Sequence, residues 1–138
     1  MFNSSHLQSI IKARDNDTLT VFVGAGFSKF SETETAKFPS WDELMRSLCK
    51  DLQIDENDYL KLAQLYYLEF GEYRLYEKLK ENIPLHANPS DLHKLLFDLN
   101  PKNVITTNWD NLLEKTVNEQ GLIYDIIKND ADFVKSTL

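Results

Sequence analysis

A chain of 138 residues with 42% hydrophobic and 12% aromatic content can bury one core but is too short for two comfortable domains. Its net charge of −7 excludes the basic footprint of a non-specific nucleic-acid binder. One cysteine, Cys49, excludes an internal disulfide and a cysteine zinc cluster within the chain, and no metal site is expected. The opening MFNSSHLQSIIKARD has neither a basic leader nor a continuous apolar core, and no apolar run approaches the ~20 residues of a membrane helix. The expectation is a soluble, cytoplasmic protein.

Ser4 or Ser5 can cap a short helix with Leu7, Ile10 and Ile11 on one face. Thr18 to Val23 is uncharged and rich in β-branched and aromatic residues, which predicts a strand buried on both faces of a parallel sheet. Residues 29–37 turn polar and predict a loop. Ser40 and Glu43 have capping-box spacing at the start of a helix that buries Trp41, Leu44, Met45, Leu48 and Leu52. Two helical patterns follow within 57–83: Leu62, Leu65, Tyr66 and Phe70 stopping at Gly71, then Leu75, Tyr76, Leu79 and Ile83 stopping at Pro84. Their aromatic stripe, Tyr59, Tyr66, Tyr67, Phe70, Tyr73 and Tyr76, predicts helix packing in preference to a ligand box.

Pro89 suits the first position of the next helix, with Leu92, Leu95, Leu96 and Leu99 as its core face, closed by Asn100-Pro101. A second uncharged strand, Val104 to Thr107, runs into Asn108-Trp109-Asp110. A helix with Leu112, Leu113 and Val117 stops near Gly121, and Ile123 to Ile127 predicts a third strand. Strands separated by helices imply an α/β, Rossmann-like parallel sheet with right-handed crossovers, carrying 57–83 as a helical insertion.

Two loops are placed for chemistry, since open parallel sheets bind ligands at the carboxyl ends of their strands. The first is Gly24-Ala25-Gly26-Phe27-Ser28. Glycines there serve either a tight turn or the approach of a pyrophosphate to backbone N–H groups. The dinucleotide fingerprint is incomplete, because Lys29 stands where a third glycine belongs. The second loop is Thr106-Thr107-Asn108-Trp109-Asp110. Its Asn108 and Asp110 either cap the following helix or carry chemistry. A dehydrogenase would want its acidic residue ~20 residues past the glycines, and Asp110 is far beyond that.

Taken together, Gly-Ala-Gly-x-Ser and Thr-x-Asn-x-Asp resemble the paired motifs of the sirtuin family of NAD-consuming enzymes. Phe38-Pro39-Ser40-Trp41 with Leu44, His93 on the helix before the second strand, and TTNWDNLLE are similar to the bacterial antiphage-defence branch. Thr107 stands where protein deacylases usually carry glutamine, and their Gly-Ile-Pro-x-Phe-Arg segment is missing. The resemblance therefore implies hydrolysis of NAD to nicotinamide and ADP-ribose. It implies that Gly24, Ala25 and Gly26 cradle the phosphates, Ser28 sits against phosphate or ribose, and Phe27 covers the ribose. Thr107 belongs to the same NAD site. Asn108 would contact the ribose and position water, as the catalytic residue, and Asp110 would address the nicotinamide carboxamide.

None of His6, His86 or His93 matches the position of the family's catalytic histidine, and the sequence stops at NDADFVKSTL, before the strand that would carry one. The expectation is thus the N-terminal part, residues 1–138, of a sirtuin-like NAD-binding domain, with a sheet incomplete at its C-terminus and no turnover by itself. A non-catalytic module that binds NAD or ADP-ribose, or that packs against a copy of itself or an effector chain, is the alternative.

Overall fold

The computed structural model of the chain describes residues 3–129 and 131–132. Met1 and Phe2 of the opening stretch, and Asp130 and 133–138 of the closing NDADFVKSTL, lie outside the described residues. In chain order the elements are α1 (Ser4–Asp15), β1 (Thr20–Val23), α2 (Ala25–Ser28), α3 (Trp41–Leu52), α4 (Tyr59–Glu81), α5 (Asp91–Asp98), β2 (Asn103–Thr106) and α6 (Leu112–Glu119). A turn of 3-10 helix at Lys29–Ser31 follows α2. The architecture is mixed α/β with a two-stranded parallel sheet. Contacts gather it into two units, one drawn from Met1–Val23, Asn88–Thr107 and Asn111–Leu138, the other from Gly24–Ala87 and Asn108–Asp110.

The first unit holds the sheet. β1 and β2 pair in parallel from Thr20↔Asn103 to Val23↔Thr106, and Thr106 Oγ1 donates to the Val23 carbonyl at 2.9 Å. The two strands therefore end level. Burial on both faces is not found: Phe22 is 66% exposed, and its register partner Ile105 is exposed beside it. An alternating strand needs a cover on each face, and here only the Val23 side is closed over. The cap of α1 is Asn3, whose side chain accepts the Ser5 N–H, in place of Ser4 or Ser5; Leu7, Ile10 and Ile11 are exposed.

α5 begins after Pro89, at Ser90, because Ser90 and His93 form a reciprocal capping box. That choice rotates the helix relative to expectation. Its buried face is His93, Leu96 and Phe97, while Leu92, Leu95 and Leu99 are exposed. The predicted strand at 123–127 is also not found among the described residues. Gly121 turns the chain with φ +62°, Ile123 is 99% exposed, and Tyr124 is anchored instead. Its ring meets Phe97 edge-on at 5.3 Å and its hydroxyl donates to the Pro101 carbonyl at 2.6 Å.

The second unit is built on α3 and α4. Ser40 Oγ accepts the Glu43 N–H and the Glu43 carboxylate accepts the Ser40 N–H, the box read from the sequence. Donation from the Ser40 N–H, helped by the Ser40 hydroxyl, holds the Glu43 carboxyl below its usual range. Met45 and Leu48 of α3 meet Leu62 and Tyr66 of α4, with Leu44, Leu52 and Leu75 at the margin. Trp41 is exposed.

α4 is broken at Gly71, with φ +85° and ψ 168°, so that glycine ends one helical stretch and a second follows. A side chain there would be strained, which explains the glycine. Asp51 of α3 ties the two stretches together: its carboxylate accepts from Tyr66 Oη and pairs with Lys78 Nζ, both at 2.9 Å. Donation from Lys78, helped by Tyr66, holds the Asp51 carboxyl below its usual range. The aromatic stripe packs only in part. Tyr66 is buried against Phe70, 4.7 Å between rings, whereas Tyr59, Tyr67, Phe70, Tyr73 and Tyr76 are exposed. The break at Gly71 parts Tyr73 and Tyr76 from the rest, and α3 packs on the Leu62–Tyr66 side of the first stretch.

Candidate functional site

Gly24 follows the end of β1, and its extended backbone (φ −105°, ψ 175°) makes it the cap residue of α2. Its carbonyl accepts the Phe27 N–H at 3.0 Å, closing the single turn Ala25–Ser28. Neither Gly24 nor Gly26 has positive φ, and a Cβ at either would meet nothing within 4 Å. Their lack of side chains is therefore not required by the fold around them.

Ser28 is the centre of the arrangement. It is 2% exposed, and its hydroxyl donates to Asp110 Oδ2 at 2.5 Å while accepting from Asn108 Nδ2 at 2.9 Å. Asn108 Nδ2 also reaches the Gly24 carbonyl at 3.2 Å. The two loops are thus joined by side-chain bonds between residues 80 and more apart in sequence. A 2.5 Å bond from a hydroxyl to a carboxylate lies in the charge-assisted range, the strongest class available to neutral donors. Trp109, between the two polar residues, directs its ring to Tyr76 of α4, with centroids 6.4 Å apart. The cap position of α6 falls to Asn111, whose side chain makes no cap bond. An amide and a carboxylate held this way are preorganised, which is what stabilising a developing charge demands.

No protein-family model matches the chain. Individual proteins do. NAD(+) hydrolase ThsA of Acinetobacter baumannii (strain 532279) is 34% identical over 123 residues, 86% of this chain and 24% of that protein. NAD(+) hydrolase ThsA of Cytobacillus dafuensis is 29% identical over 130 residues, 92% of this chain and 25% of that protein. Defense-associated sirtuin 2 of Bacillus subtilis is 27% identical over 138 residues, 95% of this chain and 13% of that protein.

The chain is a homologue of sirtuin-like antiphage-defence proteins. It spans a quarter or less of the length of these relatives. In this sirtuin-like chain Gly24, Ala25, Gly26, Phe27, Ser28, Asn108 and Asp110 all fall in the second unit, and Thr107 falls in the first. Ala25 and Gly26 are exposed, and Thr107 is exposed at the start of its loop. Phe27 is half-buried and meets Phe30 edge-on at 6.2 Å. His93 is buried, with Nδ1 2.8 Å from Ser90 Oγ.

Two features escaped the sequence. The loop after α2 is not merely polar, since Ala36 and Phe38 are buried and the Glu32 carboxylate accepts the Phe38 N–H at 3.0 Å. The Tyr76–Trp109 contact had one visible signal, an aromatic residue set between two polar ones in TTNWD. Among the described residues no group of three His, Cys, Asp or Glu side chains is placed to hold a metal ion, and no helix is long and apolar enough to cross a membrane.

Proposed function

We propose that this chain is the Rossmann-like, NAD-binding part of a cytoplasmic sirtuin-like enzyme that hydrolyses NAD to nicotinamide and ADP-ribose in antiphage defence. The observation that carries it is the Ser28 hydroxyl joining Asn108 and Asp110 to the glycine loop. Relatives named as NAD(+) hydrolases support the same substrate.

Cleavage of the glycosidic bond passes through a state resembling an oxocarbenium ion, and residues that bind that state better than the ground state accelerate it. Gly24 and Gly26 leave open space where side chains would stand, so the NAD pyrophosphate can approach the backbone of the Ala25–Ser28 turn. Asn108, its amide oriented by Gly24 and Ser28, contacts the ribose and positions water. Asp110, oriented by Ser28, addresses the carboxamide of the leaving nicotinamide. Ser28 acts chiefly by holding these two groups, since its hydroxyl both donates to one and accepts from the other. His93, committed to Ser90, is not the water-activating base; a residue elsewhere in the protein that carries this chain supplies it.

The experiment measures nicotinamide release from NAD by the full-length protein and by its Asn108→Ala variant. Turnover should fall ~10²-fold or more if the amide stabilises the transition state. An acylated lysine peptide added with NAD should stay acylated. Equal nicotinamide release by the two proteins would overturn the assignment. NAD binding with no turnover in the full-length protein would favour a nucleotide-sensing module.

A further inference from the structure

We propose that the second stretch of α4, residues 72–81, sets the position of the candidate site, with Tyr76 as a positioning residue that acts through Trp109. The proposal rests on the assignment of Asn108 and Asp110 to NAD given above. The short segment 108–110 is gripped by two different elements. Its outer side chains, Asn108 and Asp110, bond to Ser28, and its middle side chain meets Tyr76.

From one side Asn108 and Asp110 are held through the Ser28 hydroxyl and, for Asn108, the Gly24 carbonyl. From the other side the Trp109 ring, with centroids 6.4 Å from Tyr76 and planes tilted by 41°, ties the same segment to α4. Both rings remain about half exposed, at 53% and 46%. The pair therefore contributes orientation more than burial. Displacing a reacting group by about 1 Å can cost ~10²-fold in rate, so a contact of this kind matters out of proportion to its area.

Tyr76 is itself placed by two features of α4. The left-handed backbone at Gly71 redirects the helix before Tyr76, and the Asp51–Lys78 ion pair fixes the same stretch to α3 just beyond it. Asp51 also binds Tyr66, on the far side of the break, so the angle between the two stretches is clamped at one carboxylate. Direction, tether and contact thus run from α3 through α4 to the segment carrying Asn108 and Asp110.

The test is backbone hydrogen exchange, read by mass spectrometry on peptides covering 106–111, together with NAD affinity by calorimetry. The proteins are wild type, Tyr76→Ala, Tyr76→Phe and Lys78→Gln. Tyr76→Ala should speed exchange at 108–110 about tenfold and weaken NAD binding by a similar factor, because local opening becomes easier. Tyr76→Phe keeps the ring and should restore both. Lys78→Gln, which touches neither Trp109 nor the site, should shift both in the same direction by a smaller factor. Unchanged exchange at 108–110 in both Tyr76→Ala and Lys78→Gln would overturn the proposal. Should Tyr76→Ala open the whole protein, Lys78→Gln decides alone. A wild-type protein that binds no NAD, yet whose 108–110 exchange still follows Tyr76, removes the ligand and leaves the positioning standing.

Discussion

Ser28→Ala tests the link between the two loops most directly. The buried hydroxyl makes a charge-assisted bond to Asp110 and accepts a neutral one from Asn108. Bonds to charged groups contribute about 1.5–3 kcal/mol and neutral ones about 0.5–1.5 kcal/mol. Alanine removes both, so unfolding free energy should fall by roughly 2–4 kcal/mol, a large share of the ~5–15 kcal/mol typical of a domain. A double-mutant cycle isolates the pair: urea denaturation of wild type, Ser28→Ala, Asp110→Ala and the double variant. If Ser28 and Asp110 are coupled as the geometry implies, the double variant should lose about 1.5–3 kcal/mol less than the sum of the singles. Additive losses, within ~0.5 kcal/mol, would refute the reasoning.

Gly26→Val should leave the circular dichroism spectrum intact, since a side chain there meets open space, but abolish NAD binding in calorimetry; unchanged affinity would remove the phosphate assignment. Leu48→Ala, at a fully buried position between α3 and α4, should cost about 2–5 kcal/mol in urea denaturation, the range for cavities in packed cores. Acid should loosen the same pair of helices. The Asp51 carboxyl is depressed in the folded state, so its contribution is complete above the unfolded value of ~3.9 and is lost as pH falls below that. Urea midpoints measured from pH 6 down to pH 2 should therefore decline more steeply in wild type than in Asp51→Asn.

Local signals in the sequence were legible wherever the interaction is itself local. Ser40 and Glu43 announce their capping box, Gly71 announces the break in α4, and Gly121 the end of α6. The parallel pairing of the strands followed from two uncharged runs separated by helices, whereas the bonds from Ser28 to Asn108 and Asp110 were not foreseen, since Ser28 was expected against phosphate or ribose. Rotation was not legible. α5 has apolar residues on more than one face, and choosing His93, Leu96 and Phe97 over Leu92, Leu95 and Leu99 depends on a cap made by histidine, which the usual serine-to-glutamate rule does not flag. Nor was cover legible. Phe22, Ile105 and Tyr73 carry the composition of buried positions, but burial is decided by which elements lie opposite. Ile123 to Ile127 has the residues of a strand, while Tyr124 finds more in Phe97 and the Pro101 carbonyl than in a ladder.

The level ending of β1 and β2 also bears on how the protein comes into being. Val23 and Thr106 are joined across 83 residues, and a parallel pair cannot form until both strands have left the ribosome. At ~5–20 residues per second, β1 waits roughly 4–17 s for its partner. Throughout that interval Ser28 has neither Asn108 nor Asp110, while α3 and α4, adjacent in sequence, can already pack. The high-separation contacts make the sheet the late step of folding, so the constellation assigned to NAD is completed only after the helical pair that steadies it has been synthesised.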